Sequence, residues 1–259
     1  MILRNNDKIW QRKKIDWIKH YWNLDHPMRK EIIRIIGNHP RFRSVLEIGC
    51  GAGANLFNIK KAFKDTAVAG CDINEDAIKT AKEQFKLNTL PKVDKDAKYD
   101  QNENPRRKDM RESGEIFLEQ HDLRDVELKV GDATDLPFNG ESYDLILTHA
   151  VLMYMNPNII DRVLREIRRV GYNRMIFVEL HSKKWFERLK IQRNNKFFYY
   201  TYDQGYKDWI DNKYSYYAYD YEKLLAKHHF KNVQIFKITK EMWPVELWID
   251  YGYIITCIR

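Results

Sequence analysis

Three glycines at alternate positions, Gly49, Gly51 and Gly53, stand directly behind the apolar run Ser44-Val45-Leu46-Glu47-Ile48. Glycine there permits a tight turn and lets a ligand touch bare backbone. Asp72 follows 19 residues after Gly53, at the end of the next apolar run. That is close to the spacing at which a carboxylate accepts both hydroxyls of a ribose. Gly131-Asp132-Ala133 closes a third run, where a carboxylate can take the amino group of an adenine. Each feature has a plain structural alternative. The glycines can be turn residues, Asp72 can cap a helix starting at Asn74 and Glu75, and Asp132 can be a turn acid.

These residues must be held by a regular scaffold. Apolar runs at 44–48, 67–71, 126–130, 143–148 and 175–179 read as buried strands. Between them lie helical stripes. Met28, Ile32, Ile33 and Ile36 form one, with Gly37 and Pro40 behind it. Leu56, Ile59 and Phe63 form a second, Ala77, Ile78, Ala81 and Phe85 a third. Ile159, Ile160, Val163, Leu164, Ile167 and Val170 form a fourth, behind Pro157. Two further strands, 233–238 and 253–258, are expected with no helix between them. Strand–helix alternation implies a parallel sheet covered on both faces. Three strands then end in ligand-type residues on one edge, the edge at which open parallel sheets bind.

The successive segments LEIGCGAGANL, GCDINEDAIKTA, VGDATDLPF and YDLILTHAVLMYM resemble the motifs of class I S-adenosylmethionine-dependent methyltransferases. The likeness covers about 44–180. It implies an α/β Rossmann-like doubly wound sheet of seven strands with an antiparallel last strand. By that resemblance Glu47, Gly49, Gly51 and Gly53 form the methionine-side loop, Asp72 binds the ribose and Ile73 packs on adenine. Asp132 and the Ala133 amide then read the adenine edge, and Thr148 belongs with the cofactor residues. The loop is GxGxG rather than the GxGxxG of a pyrophosphate site, which sets NAD lower as a cofactor. A looser likeness joins the chain to methyltransferases of bacterial surface-sugar biosynthesis.

Methyl transfer from a sulfonium needs alignment and exclusion of water; a base is needed only by some acceptors. Strand ends facing the cofactor supply the candidates. His149 comes first, because imidazole accepts a proton near neutral pH; the alternative is that it orients the cofactor or satisfies the backbone. Tyr154 and His181 come next, each with a local structural role as its alternative. The family's Asn/Asp-Pro-Pro-aromatic motif for exocyclic amines is replaced here by Thr148-His149-Ala150-Val151, which disfavours adenine-N6 and glutamine methylation. No metal ligand set is expected.

The 259 residues carry 44% apolar and 32% charged residues, enough for a real core, and a net charge of +8. Global disorder and a disulfide-stapled mini-protein are excluded by that composition. Three sparse cysteines, Cys50, Cys71 and Cys257, read as free thiols and suggest a reducing, cytoplasmic location. No membrane span or secretory leader is expected. Residues 1–43 hold eleven Lys/Arg against four Asp/Glu. This basic helical arm, with Trp10, Trp17, Tyr21 and Trp22, fits either RNA or an amphipathic docking face. Residues 44–259 form the expected catalytic domain, interrupted by a charged insertion at 87–125 and an aromatic-rich substrate cap at 181–230. Arg188, Lys190, Arg193 and Lys196 of the cap suggest an anionic acceptor. The expected partner is a small molecule or sugar-type acceptor, with O or N as nucleophile; RNA is the second expectation.

Overall fold

The computed structural model describes residues 7–39, 42–87, 89–90, 118–119, 125–183 and 216–259. Most of the 87–125 insertion, and residues 184–215 of the cap with its four basic residues, lie outside them.

The chain opens with two short helices, α1 (Asp7–Gln11) and α2 (Trp17–Tyr21), and a longer α3 (Pro27–Gly37). Asp16 caps α2 by accepting the Lys19 amide, and His26 caps α3 through Nδ1, with Pro27 in the first turn. Then follow β1 (Ser44–Ile48), α4 (Ala54–Ala62), β2 (Ala67–Asp72), α5 (Glu75–Leu87), β3 (Val126–Val130) and β4 (Tyr143–His149). The second half contains α6 (Ile160–Val170), β5 (Gly171–Leu180), α7 (Tyr221–Lys227), β6 (Lys231–Lys237), α8 (Glu246–Tyr251) and β7 (Gly252–Ile258). Two two-residue strands, Thr89–Leu90 and Leu118–Glu119, pair inside the insertion.

The seven main strands lie in the order β3-β2-β1-β4-β5-β7-β6. Strands β1 to β5 are parallel, and β7 runs antiparallel to both β5 and β6. Alternate side chains serve opposite layers, as the pleat requires. Val45, Leu145, Leu147, Ile176, Val178 and Ile254 face α3, α4 and α5. Leu46, Ile48, Ile146, Met175, Phe177, Ile255 and Cys257 face α6 and α7. With both faces covered, the central strands are apolar throughout. Each fully buried Leu, Ile, Val or Phe contributes roughly 1.5–3 kcal/mol relative to exposure.

One expectation is corrected. The last two strands are separated by α8, six residues long. It is too short to write a helical period into the sequence, yet it buries Leu247 and Trp248. It does not alter the reversed pairing of β7. Among the described residues no helix is long and apolar enough to cross a membrane.

Candidate active site

The sheet order reverses direction at β1, which pairs with β2 on one side and β4 on the other: Ile48 lies beside Cys71 and beside Thr148. Chain connections leave to opposite faces there, opening a crevice at the carboxyl ends. A cavity of about 460 Å³ occupies it, within the ordinary range for small-molecule sites.

One end of the cavity is lined by Asp72, Ile73, Gly131, Asp132 and Ala133. The Asp72 carboxylate accepts the Gly51 amide on Oδ2 and the Asn74 amide on Oδ1, each at 2.9 Å. Burial pushes its pKa up, while these amides pull it back. Asp132 accepts the Thr134 amide at 2.8 Å.

The glycine loop forms the floor. Gly49 adopts φ +70°, and a Cβ on it would meet Val151 Cγ2 at 2.4 Å. Both the backbone and the space therefore demand glycine there. Gly51 also has positive φ, with the Trp17 ring 3.7 Å from where its Cβ would stand. Gly53 sits behind the loop as the α4 N-cap, against Ala81 and Phe85 rather than the cavity.

Behind the loop Glu47, Asn55, Arg29 and His149 form a buried polar knot. Asn55 Nδ2 donates to Glu47 Oε1 at 2.5 Å and lies 3.0 Å from His149 Nδ1. Arg29 donates to Asn55 Oδ1 at 2.5 Å and to the Asn23 and Tyr21 carbonyls. Burial pushes Glu47 up to about 8 against the opposing pull of Asn55 and Arg29. Burial lowers Arg29 to about 10, so it stays charged at neutral pH. Burial, with Arg29 and His26 nearby, holds His149 well below the usual imidazole range. Among the described residues, two buried atoms of the knot have no hydrogen-bond partner, Glu47 Oε2 and His149 Nε2.

The other end of the cavity is aromatic. Trp10 meets Tyr154 edge-on at 5.0 Å, and Tyr154 meets Tyr216 at 5.2 Å. Opposite, Trp243 stacks on Trp248 at 4.0 Å and presents its ring to His149 and His26. The arm closes this space. Asn74 Nδ2 donates to the Trp10 and Lys13 carbonyls, and Trp17 is buried against Ala52 and Ala77.

The cavity thus collects Glu47, Gly49, Gly51, Asp72, Ile73, Asp132, Ala133, His149 and Tyr154. Three expected residues lie off it. Thr148 is fully buried and donates its hydroxyl to Glu179 at 2.8 Å. Gly53 serves α4. His181 accepts the Tyr221 amide on Nδ1 and packs on Tyr253, joining the β5 end to α7. Sequence reasoning missed Arg29, Asn55, Trp243 and Trp248. Arg29 lies one place beside an apolar helical stripe, and Asn55 lies in the first turn of α4 with no pattern to single it out. Among the described residues no His/Cys/Asp/Glu group is arranged to hold a metal.

S-adenosylmethionine fits this donor set. The orphaned Glu47 Oε2 would take its ammonium and buried Arg29 would face its carboxylate. Bare glycine backbone would border the methionine chain, and Asp72 would take the ribose diol.

Comparisons with known proteins agree. Residues 46–174 match the family model described as a methyltransferase domain. No curated protein matches by sequence. Among solved structures, one from Nostoc punctiforme superposes with a TM-score of 0.60 at 12% identity; the match covers 94% of this chain and 60% of that protein. An S-adenosylmethionine-dependent methyltransferase from Methanosarcina mazei gives 0.54 at 18%, covering 87% and 96%. The magnesium protoporphyrin IX methyltransferase of Synechocystis, solved with S-adenosylhomocysteine, gives 0.51 at 14%, covering 97% and 91%. At these identities the superpositions speak for the fold, and the family match carries the chemistry. The matched methyltransferase domain, carried on this fold, makes this chain a member of the class I S-adenosylmethionine-dependent methyltransferases.

Proposed function

We propose that the chain moves the methyl group of S-adenosylmethionine to an oxygen or nitrogen nucleophile of a small molecule held among Trp10, Tyr154, Tyr216, Trp243 and Trp248. The observation that carries this reading is one continuous cavity that is lined by Asp72, Asp132 and His149 and by the aromatic walls. The cofactor supplies an already activated methyl group. The protein's work is to fix the methionine end through Glu47, Arg29 and the glycine loop, align the acceptor and exclude water. Ring faces suit a planar or amphipathic acceptor.

The RNA reading needs the arm's aromatics free for base stacking. Instead Trp17 is buried, and Trp10 and Trp22 pack against the core, which argues for the small-molecule reading. Calorimetry with S-adenosylhomocysteine, followed by incubation of small-molecule extracts with labelled methyl donor, tests the proposal. Micromolar binding and labelled low-mass product are expected. Label entering only RNA, with affinity falling steeply in salt, would overturn it.

A further inference from the structure

The Asn55 amide bears on which ring nitrogen of His149 carries the proton. Its Oδ1 receives Arg29 Nη1 at 2.5 Å. A guanidinium has only donors, so the amide atom it meets must be the oxygen. That leaves the NH₂ group toward Glu47 Oε1 and His149 Nδ1. An amide nitrogen donates and does not accept, so His149 Nδ1 must offer its lone pair. A neutral imidazole with a bare Nδ1 carries its hydrogen on Nε2. Nε2 is buried and, among the described residues, has no hydrogen-bond partner; its ring lines the cavity. The charged and titratable groups facing the ring are Arg29 and His26 of α3, with Glu47 of β1 beyond Asn55. Glu179 of β5 is turned to Thr148 and the following loop.

We infer that His149 is a hydrogen-bond donor to the methyl acceptor rather than its base, and that the acceptor is a carboxylate. This rests on the reading of the aromatic compartment as the acceptor site. An alcohol or phenol would have to lose its proton to a nitrogen that already carries one. A carboxylate arrives ionised, offers one oxygen to Nε2–H and keeps the other for the methyl carbon. The attacking oxygen's electron pair forms the O–CH₃ bond as the CH₃–S bond breaks, and that bond's pair stays on sulfur. One negative and one positive charge disappear, no proton moves, and the product is a methyl ester. Aromatic walls that thin out water favour this annihilation of charge.

The test has two arms. In the ligand-free, ¹⁵N-labelled full chain, long-range proton–nitrogen spectra are expected to show His149 Nδ1 unprotonated and Nε2 protonated between about pH 6 and 8. A His149→Gln spectrum identifies the signals. The opposite tautomer, or an imidazolium, overturns the proposal and leaves the methyl-transfer reading standing. Failure of S-adenosylhomocysteine to bind sinks both. In the second arm, matched aromatic carboxylic acids, phenols and alcohols are offered with labelled methyl donor. Label is expected in the acids, released as volatile methanol by mild alkali, at a rate flat across the same pH range. His149→Gln, which can still donate, should keep at least about a tenth of the rate, while His149→Ala falls by about a hundredfold. Alkali-stable label in phenols or alcohols, falling about tenfold per pH unit below neutrality, restores the base and overturns the proposal.

Discussion

The Gly51 amide donates to Asp72 Oδ2 at 2.9 Å, so the acid proposed to grip the ribose also ties the glycine loop to the end of β2. Removing that carboxylate acts twice. Asp72→Ala deletes the charged hydrogen bonds to the sugar, ~2 kcal/mol by themselves, and frees the loop that borders the methionine chain. Calorimetry with S-adenosylhomocysteine should therefore show a loss of ~2–4 kcal/mol in binding. Unchanged affinity would remove the ribose assignment.

Gly49 carries two separate demands, and substitution can separate them. Gly49→Ala places a Cβ against Val151 at a left-handed φ. The backbone cost is ~1–2 kcal/mol and overpacking adds ~1–3 kcal/mol. The double variant Gly49→Ala/Val151→Ala should recover much of the overpacking and none of the backbone cost. Thermal unfolding of the three proteins checks this. Full recovery in the double variant would mean that φ was never limiting.

The legible parts of the molecule were those that repeat along the chain. Strand ends at Ile48, Asp72 and Val130 were visible because apolar runs stop abruptly in glycine or aspartate. Helical stripes such as Ile160, Val163, Leu164 and Ile167 were visible because burial follows the turn. The polar knot was not. Asn55 lies eight residues from Glu47 and 94 from His149, and a side-chain hydrogen bond leaves no period in a sequence. The same holds for Trp243, which meets the His149 ring, and for Trp248, which stacks on Trp243. The basic arm left two readings open for a different reason. Its charge is visible in composition, but which side its tryptophans face depends on Asn74 holding the Trp10 and Lys13 carbonyls.

Glu47 makes stability depend on pH with a predictable sign. Its pKa rises from 4.5 to about 8 in the fold. Between those values the folded chain holds a proton that the unfolded chain releases. Its stabilising share is complete below pH 4.5 and is lost as pH rises through the folded value. Glu47→Gln removes this titration while keeping an oxygen for Asn55. Above about pH 8 the ligand-free variant should be more stable than the parent by ~1–3 kcal/mol, the scale of an unmet buried polar group. It should also bind S-adenosylhomocysteine less tightly, because the ammonium loses its counter-charge. Denaturant midpoints measured below and above the window test the first part; parallel curves for the two proteins would refute it.

Glu179 governs the loop that follows β4. Its Oε1 accepts Thr148 Oγ1 at 2.8 Å and the Val151 and Leu152 amides at 3.0 Å, and its Oε2 accepts the Met153 amide at 3.1 Å. Four donors converge on one fully buried carboxylate, and the loop they shape presses Val151 onto Gly49. Glu179→Ala strands those donors in an apolar interior. A large loss of stability is expected, since each buried donor left without a partner costs ~1–3 kcal/mol. Glu179→Gln keeps one oxygen but points an NH₂ at an amide N–H, so it should lose less than alanine and more than nothing. Both variants should weaken S-adenosylhomocysteine binding although Glu179 does not line the cavity. Chemical denaturation and calorimetry on the same samples decide the matter. If the glutamine variant matches the parent in both, the carboxylate is not what organises this loop, and the packing of Val151, Leu152 and Met153 must hold it alone.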